Sequence, residues 1–310
     1  METDQSKSSG TSIDRHSEER PGQTVNIGEI SVHFHDLGDG PPLLIFPSFG
    51  PMPGTTAWLT YQKVLPELSK HYRCILIDLP NFGRTGPVVF DEPLHVTCAR
   101  IAATLMDHLD IPRSIVMGNS IGGTVAIAYS LKYPDRVEKL VIGGCHASTG
   151  GDPYSIANTP SEGTRASIKA GSDPSPGTFR ALLEVLIDDS DLVTDELVDT
   201  IFRNYESAPK HVAAWAESEF VNHSNLQDLH QIVAPTLVVH GRYDRMVPME
   251  QGLTIMSYLP DSRLLVLNKC GNWPPFENPE EYTAHVLTFL ETSTHSDRLR
   301  EYLLARSRVG

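Results

Sequence analysis

Six short, mainly apolar runs, spread along a chain of 310 residues, restrict its fold more than any other feature. Each run has the length of one strand and lacks polar alternation, which is typical of strands buried on both faces. Apolar residues at helical spacing lie between several of them, for example in GGTVAIAYSLKYP. The six runs are PPLLIFP, RCILIDLP, SIVMGNS, KLVIGG, PTLVVHG and RLLVLNK. This alternation predicts an α/β fold with a mostly parallel central sheet and helices on both faces.

Two polar ends and one irregular insertion interrupt this pattern. The early stretch GEISVHFHDLG alternates apolar and polar residues, which predicts a half-buried antiparallel edge strand with His33 and His35 at the surface. Between about Cys145 and Gln231 a Gly/Ser/Pro-rich stretch precedes three helical patterns, and no strand signal appears. We predict a disordered tail over 1–23, an α/β core over 24–144 and 232–292, a helical lid over 145–231 and a C-terminal tail over 293–310.

Composition limits the partners of such a domain. The net charge of −14, from 39 acidic and 25 basic residues, argues against binding to nucleic acid or to an anionic membrane surface. No apolar run approaches the ~20 residues that span a bilayer, and the polar N-terminus lacks a signal-peptide core. Four cysteines without metal-ligand spacing indicate reduced thiols in a cytoplasmic protein. With no metal or nucleotide motif, we expect no cofactor, a small-molecule substrate and, as an open possibility, a homo-oligomer.

The strongest chemical signal is the stretch VMGNSIGGTVAIAYSL. Its segment 118–122 matches G-x-S-x-G between an apolar strand and a helix, which is the context that makes this motif credible. The small residues permit a tight turn that lifts the Ser120 hydroxyl above the sheet. The helix N-terminus directs backbone N–H groups at an oxyanion formed there, and the N–H of Ile121 is the natural first donor. These features predict a nucleophile elbow.

Two later loops supply the other candidate catalytic residues. Asp244 follows the apolar run PTLVVHG, and its place downstream of Ser120 fits the chain order Ser, Asp, His. His240, at the end of the same run, is predicted to pack beside the site. The third position falls in LNKCGNWPPFENPEEY, where the chain has Asn272.

Together these residues resemble the α/β-hydrolase superfamily and, more narrowly, the meta-cleavage-product hydrolases, which break carbon–carbon bonds in ring-opened aromatic catabolites. The likeness extends from about Thr24 to Thr292. It implies an α/β-hydrolase fold with an inserted helical lid, a Ser–Asp–His triad and no cofactor. Four stretches carry it in order: GNSIGGTVAIAYSLKYPDRVEKLVI, LLEVLIDDSDLVTDELV, GRYDRMVPMEQGL and NKCGNWPPFENPEEY.

The chain departs from that family at three places. Asn272 stands where the family has histidine, and an amide cannot take a proton from serine. The loop FPSFGPMPGTTAW replaces the family's His-Gly, so that the second oxyanion donor is Ser48, Phe49 or Gly50. Ile201 aligns with the lid arginine that pairs with the family's acidic substrate, and Arg203 lies on another helix face. A single inactivating substitution would explain only Asn272, so the three together favour a natural sequence.

Several aromatic residues near the loops and the insertion predict a pocket for a hydrophobic substrate. We place Trp58, Trp215 and Trp273 in this pocket, with Asn119 beside Ser120 and His146 after the following strand. Further aromatic candidates for the pocket are Tyr154, Phe179, Phe220 and Phe276. The expected substrate is therefore a carbonyl-containing hydrophobic small molecule.

Three functions fit a Ser–Asp–Asn site. A hydrolase would need His146 or a water as its base in place of the missing histidine. A lyase, eliminating enzyme or cyclase would use Ser120, Asn272 and the oxyanion donors to polarise a carbonyl, with Asp244 as general base if burial raises its pKa. A ligand-binding pseudo-hydrolase would no longer need the serine, so the retained Ser120 favours an enzyme.

Overall fold

The computed structural model describes residues 21–147, 161–219 and 221–292. Most of the predicted N-terminal tail, the C-terminal tail and residues 148–160 of the insertion lie outside the described residues, as do Tyr154 and Phe220.

One sheet of eight strands forms the centre of the described chain, in the order β1-β2-β4-β3-β5-β6-β7-β8. The strands are β1 (Gln23–Ile27), β2 (Ile30–Leu37), β3 (Pro42–Phe46), β4 (Arg73–Ile77), β5 (Ser114–Asn119), β6 (Val137–Gly143), β7 (Thr236–Gly241) and β8 (Ser262–Leu267). The six apolar runs form β3 to β8, which pair in parallel, while β1 and β2 add antiparallel pairs. The predicted mostly parallel sheet is thus confirmed. Only Leu267 of β8 is buried, because this strand lies at the edge of the sheet.

Helices pack on both faces of the sheet, as the alternating pattern predicted. They are α1 (Ala57–Tyr61), α2 (Leu65–Leu68), α3 (Leu94–His108), α4 (Ile121–Lys132), α9 (Met249–Tyr258), α10 (Pro274–Glu277) and α11 (Pro279–Glu291), numbered so that four helices of the insertion fall between α4 and α9. The helices α3, α4 and α9 share one apolar core with the sheet, and α1, α2 and α11 share the other. Burial on both faces explains why the strand runs are apolar throughout.

The insertion between β6 and β7 is helical where the structure describes it. Its helices are α5 (Glu162–Ser172), α6 (Pro176–Leu186), α7 (Asp195–Glu206) and α8 (Pro209–Glu217). Of these, α5, α6 and α7 form a third apolar cluster with Trp273 and Phe276, which follow β8, and with Leu59 of α1, whereas Trp215 of α8 packs against the core that α3, α4 and α9 share. The insertion therefore packs against loops at the carboxyl ends of the strands, where open α/β sheets bind ligands. Its action as a lid stays a prediction.

Two histidines that were predicted at the surface are buried. His33 and His35 are 3% and 1% exposed. The reason is that β1 pairs with the outer side of β2, which makes β2 an internal strand of the sheet. His33 Nδ1 lies 2.9 Å from Asp78 Oδ2, so a buried polar contact replaces water.

Candidate active site

Ser120 lies on a sharp turn between β5 and α4. Its φ of 54° and ψ of −124° are disfavoured for a residue with a side chain, and its N–H donates to Gly143 O at 2.7 Å. Glycine is required on both sides, since a Cβ on Gly118 would lie 2.2 Å from Gly122 O and one on Gly122 would lie 2.3 Å from Pro47 O. This is the local geometry that the G-x-S-x-G pattern predicted. The Ser120 hydroxyl makes no hydrogen bond to any residue in the described ranges.

Backbone N–H groups near Ser120 are available to an oxyanion. Within the described chain, the N–H groups of Ile121, at the start of α4, of Phe49 and of Gly50 have no hydrogen-bond acceptor. Ser48 N–H instead donates to Thr60 Oγ1 at 3.1 Å, so the earlier choice of Ser48 as a donor is corrected. Phe49 is held in place because its carbonyl accepts from Trp273 Nε1 at 2.8 Å.

Asn119, predicted in the pocket, ties together the loops around Ser120. Its Nδ2 donates to Ser48 Oγ at 2.8 Å and to the backbone oxygen of Asn272 at 2.6 Å. Asn119 is only 2% exposed and is not a lining residue of the cavity described below. It therefore fixes the position of residue 272 relative to the elbow.

Asn272 and Asp244 meet in the interior, as the chain order of the motifs predicted. Asn272 Nδ2 donates to Asp244 Oδ2 at 2.7 Å and to Gly144 O at 3.0 Å. Asn272 is fully buried, and its Oδ1 has no hydrogen-bond partner in the described chain. Both N–H groups of the amide are thus committed, and the side chain offers only an acceptor to a neighbouring group.

The Asp244 carboxylate is enclosed by donors. Its Oδ1 accepts from the N–H groups of Met246 and Val247, each at 2.8 Å, while Asn272 reaches Oδ2. Burial raises the pKa of Asp244 to about 7, against the opposing effect of these hydrogen bonds. His240 Nε2 lies 3.5 Å from Oδ2, and the same nitrogen lies 3.0 Å from Val247 O. Burial lowers the pKa of His240, which favours a neutral imidazole beside the carboxylate.

A second buried carboxylate holds the loop that carries Asn272. Glu277 accepts from the N–H groups of Gly271 and Asp188 at 2.8 Å and from that of Trp273 at 2.9 Å. Burial raises the pKa of Glu277 to about 7, against the lowering effect of these three bonds. Since Asp188 follows α6, this one side chain links the insertion to the loop after β8.

His146, the alternative base, and Ile201, at the position of the family's arginine, have other surroundings than a catalytic base and an anion-binding residue. In the described ranges no hydrogen bond joins His146 to Ser120; the His146 carbonyl accepts from Thr124 Oγ1 at 2.7 Å. Ile201 is 0% exposed, and a Cβ on Gly54 would lie 2.1 Å from its carbonyl oxygen. Arg203 is exposed, and its guanidinium contacts Thr200 Oγ1 at 3.3 Å.

A cavity of about 140 Å³ lies between the loop after β3 and the helices of the insertion. Among the described residues, its lining contains no Lys, Arg, Asp or Glu. The loop and its neighbourhood contribute Phe49, Gly50, Pro51, Met52, Pro53 and Asn81, and the helices contribute Ser167, Ala170, Gly171, Phe179, Leu182, Tyr205, His211, Val212 and Trp215. Phe49 and Gly50, two of the candidate oxyanion donors, belong to this lining.

Of the three predicted pocket tryptophans, only Trp215 lines this cavity. Trp273 is 0% exposed and lies behind the site against Phe276, whose ring centroid is 5.8 Å away. Trp58 packs beside His35 in the sheet core, at 5.0 Å between ring centroids, so its placement in the pocket is corrected. The reason is that Ala57 N–H bonds to Asp78 Oδ1 at 2.8 Å, which fixes α1 against the sheet.

Several lining residues were missed from the sequence. Ser167, Ala170 and Gly171 lie on α5, a helix hidden within the Gly/Ser/Pro-rich stretch. Its available signal was Ser161, whose side chain caps the helix by accepting from Thr164 N–H at 3.1 Å. His211 was not predicted as a lining residue, because the sequence of a helix does not show which distant group a histidine in it contacts.

Two negative results concern the described chain alone. No group of three or more His, Cys, Asp or Glu in residues 21–147, 161–219 and 221–292 could hold a metal ion. In these ranges no helix has the length and apolar character needed to cross a bilayer. All four cysteines are buried and free of disulfide bonds.

Comparison with known proteins identifies relatives over most of the chain. A family model described as "alpha/beta hydrolase fold" matches residues 41–279. The 2-hydroxy-6-oxononadienedioate/2-hydroxy-6-oxononatrienedioate hydrolase of Burkholderia vietnamiensis is 34% identical over 89% of this chain and 97% of that protein. The 2-hydroxy-6-oxo-6-phenylhexa-2,4-dienoate hydrolase of Burkholderia cepacia is 33% identical over 86% of this chain and 94% of its own length.

A solved structure agrees with these sequence matches. The meta-cleavage product hydrolase of Pseudomonas fluorescens superposes with a TM-score of 0.72 and 28% identity, over 87% of this chain and 97% of that one. A thermophilic esterase from Thermogutta terrifontis gives a TM-score of 0.70 and 26% identity, over 87% and 98% of the two chains.

Proposed function

Since this chain belongs to the α/β-hydrolase family of enzymes, with meta-cleavage-product hydrolases among its relatives, we propose that it binds the carbonyl group of an uncharged, apolar small molecule and activates it without nucleophilic catalysis. The carbonyl oxygen accepts from the N–H groups of Phe49 and Ile121, and Ser120 contributes a neutral hydroxyl. An elimination, a carbon–carbon bond cleavage or a cyclisation that passes through an oxyanion suits such a site.

One observation carries this proposal: the Asn272 amide directs both N–H groups at Asp244 and Gly144. An imidazole in this place would donate to the carboxylate through one nitrogen and accept a proton from serine through the other. The amide preserves the first of these interactions and has no atom that takes up a proton. Ser120 is therefore left as a neutral hydroxyl, which is a poor nucleophile.

Asp244 does not supply the missing base directly. Its side chain is 0% exposed, and both oxygens already accept from N–H donors. A general base must come within hydrogen-bond reach of the proton that it removes. We therefore assign Asp244 a positioning role through Asn272, and not the role of base that the sequence allowed.

The charge of the surroundings supports an uncharged substrate. Where the structure describes it, the cavity lining lacks Lys and Arg, and Ile201 replaces the family's arginine with a buried apolar side chain. The relatives from Burkholderia vietnamiensis and Burkholderia cepacia are named for a dioate and for a phenyl-bearing dienoate, which are both carboxylates, so an uncharged substrate would set this chain apart from them. The aromatic lining of Phe179, Tyr205 and Trp215 suits a ring, and a buried carboxylate without a cation is strongly disfavoured.

A fluorophosphonate probe with intact-mass readout tests the state of Ser120. We expect no adduct on the unaltered protein, an adduct on Asn272→His, and none on the double variant with Ser120→Ala. Asn268→His, an exposed substitution in the same loop, is the matched control and should behave as the unaltered protein. An adduct on the unaltered protein at Ser120 would overturn the proposal and indicate a hydrolase with another base.

Binding of small ligands tests the carbonyl and charge assignments. Isothermal titration calorimetry with 4-phenylbutan-2-one, butylbenzene and 4-phenylbutanoate compares a ketone, its hydrocarbon and an anion of similar size. We expect the ketone to bind roughly tenfold more tightly than either of the others. The hydrocarbon lacks the hydrogen bond to the oxyanion donors, and the anion would bury a charge without a partner. Equal affinity for ketone and hydrocarbon would contradict the proposed oxyanion donors.

A further inference from the structure

We propose that His211 is a specificity-determining residue that accepts a hydrogen bond from a hydroxyl group of the substrate. This deepens the proposed function, on which it rests only for the carbonyl at the other end of the ligand. It names the substrate class as a hydroxyl-bearing ketone the size of a single ring with a short chain. His211 lies in the first turn of α8 and lines the cavity that Phe49 also lines.

The hydrogen bonding of His211 defines its tautomer. His211 Nε2 lies 2.7 Å from Thr85 O. A carbonyl oxygen has no proton to give, so Nε2 must be the donor, and in the neutral ring Nδ1 then carries a lone pair. His211 Nδ1 is buried and has no hydrogen-bond partner in the described part of the chain. A buried acceptor without a donor is unfavourable. Nδ1 is closed off from the cavity space in this structure, so a small shift of the side chains over it on binding brings it to the ligand hydroxyl, and this contact removes the penalty.

Thr85 is a rigid partner for this histidine. It is 0% exposed, its Oγ1 donates to Asp78 O at 2.7 Å, and it accepts from the N–H of His33 at 3.0 Å. The carbonyl of Thr85 is therefore fixed by the polar cluster beside β2 and β4. A fixed acceptor on Nε2 holds the ring orientation and keeps Nδ1 as the acceptor.

The other polar groups of the cavity do not duplicate this role. Asn81 uses both ends of its amide on Val88, donating to O at 2.7 Å and accepting from N–H at 2.8 Å. The hydroxyls of Ser167 and Tyr205 can donate or accept, so they do not distinguish a hydroxyl from an ether. His211 Nδ1 only accepts, and it therefore selects ligands that carry an O–H donor.

The size of the cavity limits the ligand. Each water-sized position takes roughly 10–15 Å³ of such a volume, so 140 Å³ holds about ten non-hydrogen atoms. One aromatic ring with a short ketone chain fills this space, and Phe179 and Trp215 offer faces for the ring. A para hydroxyl on such a ring is a suitable donor for His211.

A matched ligand series tests the proposal by calorimetry. The probes are 4-(4-hydroxyphenyl)butan-2-one, its methyl ether, 4-phenylbutan-2-one and 4-butylphenol. We expect the hydroxylated ketone to bind the unaltered protein roughly tenfold more tightly than the ether or the unsubstituted ketone. Equal affinities for these three ketones would overturn the proposal, and this arm needs no variant to fold.

Variants of His211 test whether this residue causes the preference for the hydroxylated ketone. His211→Phe and His211→Leu both remove the ring acceptor, together with the N–H donor for Thr85 O, and neither side chain supplies another acceptor. In either variant we expect the hydroxyl preference to fall to about onefold, while His230→Gln, an exposed histidine bonded to Gln227 O, should keep it. A preference that survives in both His211 variants would assign the hydroxyl to another group and refute the role of His211.

The series also separates this inference from the proposed function. The phenol 4-butylphenol lacks the ketone, so its affinity reports the hydroxyl subsite alone. If the ketone adds nothing but 4-butylphenol still depends on His211, the carbonyl proposal fails and the His211 assignment stands. If the ketone is preferred and the hydroxyl is not, the His211 assignment fails alone.

Discussion

Asn272 and Asp244 are joined by a buried hydrogen bond of 2.7 Å, donated by the amide to the carboxylate. The amide nitrogen also reaches Gly144 O, so residue 272 is oriented as firmly as an imidazole would be. What the pair lacks is a second nitrogen that exchanges protons with Ser120. In the proposed function, the contact between Asp244 and residue 272 is kept, and the proton transfer between residue 272 and Ser120 is absent.

Backbone strain at Ser120 is measurable apart from any activity. A non-glycine residue at φ 54° and ψ −124° stores on the order of 1–3 kcal/mol, which glycine does not. We expect Ser120→Gly to be more stable than Ser120→Ala by about 1 kcal/mol, because both lose the hydroxyl and only one relieves the strain. Urea unfolding of the two variants checks this, and an alanine variant equal to or more stable than the glycine variant would contradict a strained elbow.

Glu277 should be required for the placement of the loop that carries Asn272. In Glu277→Gln one oxygen of the carboxylate becomes an NH₂ group, which faces backbone N–H donors at Trp273 or at Gly271 and Asp188. We expect a loss of about 2–4 kcal/mol in unfolding free energy, as for other buried polar groups that lose their partners. Glu281→Gln, an exposed change on α11, is the control and should stay within about 0.5 kcal/mol of the unaltered protein.

The sequence predicted the fold and the elbow because both depend on local patterns. Six apolar runs became β3 to β8, and the glycines on either side of Ser120 are required by contacts within a few residues of it or with the neighbouring strand. Asp244 and Asn272 could be paired because parallel strands end at one edge of the sheet.

The details that failed depend on distant partners. The Ser48 N–H is not free for an oxyanion because it donates to Thr60 Oγ1, which lies on a helix that the sequence did not define. Trp58 turns into the core because Asp78 fixes the start of α1. His211 gains its tautomer from Thr85, which lies 126 residues earlier in the chain. No periodicity or motif in one sequence records such contacts.

Trp215 and Trp58 should separate binding from stability. Trp215 lines the cavity, so we expect Trp215→Leu to weaken binding of 4-phenylbutan-2-one by about tenfold, the order expected when an aromatic contact is truncated. Trp58→Leu removes a core side chain and should lower the unfolding free energy by about 2–4 kcal/mol with little change in affinity. Calorimetry and urea unfolding on both variants measure the two effects. Equal losses of affinity in the two variants would indicate that Trp58 also contacts the ligand, as the sequence predicted.

Asp244 should make the folded state less stable as the pH rises. An aspartate in an unfolded chain has a pKa of about 3.9, whereas burial raises the pKa of Asp244 to about 7 in the fold. Between about pH 4 and pH 7 the folded state therefore holds this proton more tightly than the unfolded state. The stabilisation is complete below pH 4 and is lost as the pH rises through about 7.

The variant Asp244→Asn has no titrating group at residue 244, so it lacks this contribution to the pH dependence of stability. We expect the unaltered protein to lose about 2–4 kcal/mol more than the variant between pH 4.5 and pH 8, measured by urea unfolding at several pH values. The quantity compared is the change of unfolding free energy with pH. Its absolute value is lower in the variant at every pH, because the new amide faces the donor of Asn272. Glu277 has a pKa raised to about 7 as well, and its contribution remains in both proteins.

The control Asp199→Asn changes an exposed carboxylate and should leave the pH dependence of the unfolding free energy unchanged. Parallel curves for the unaltered protein and Asp244→Asn would mean that Asp244 stays ionised throughout, and that the bonds from Met246, Val247 and Asn272 fully offset its burial.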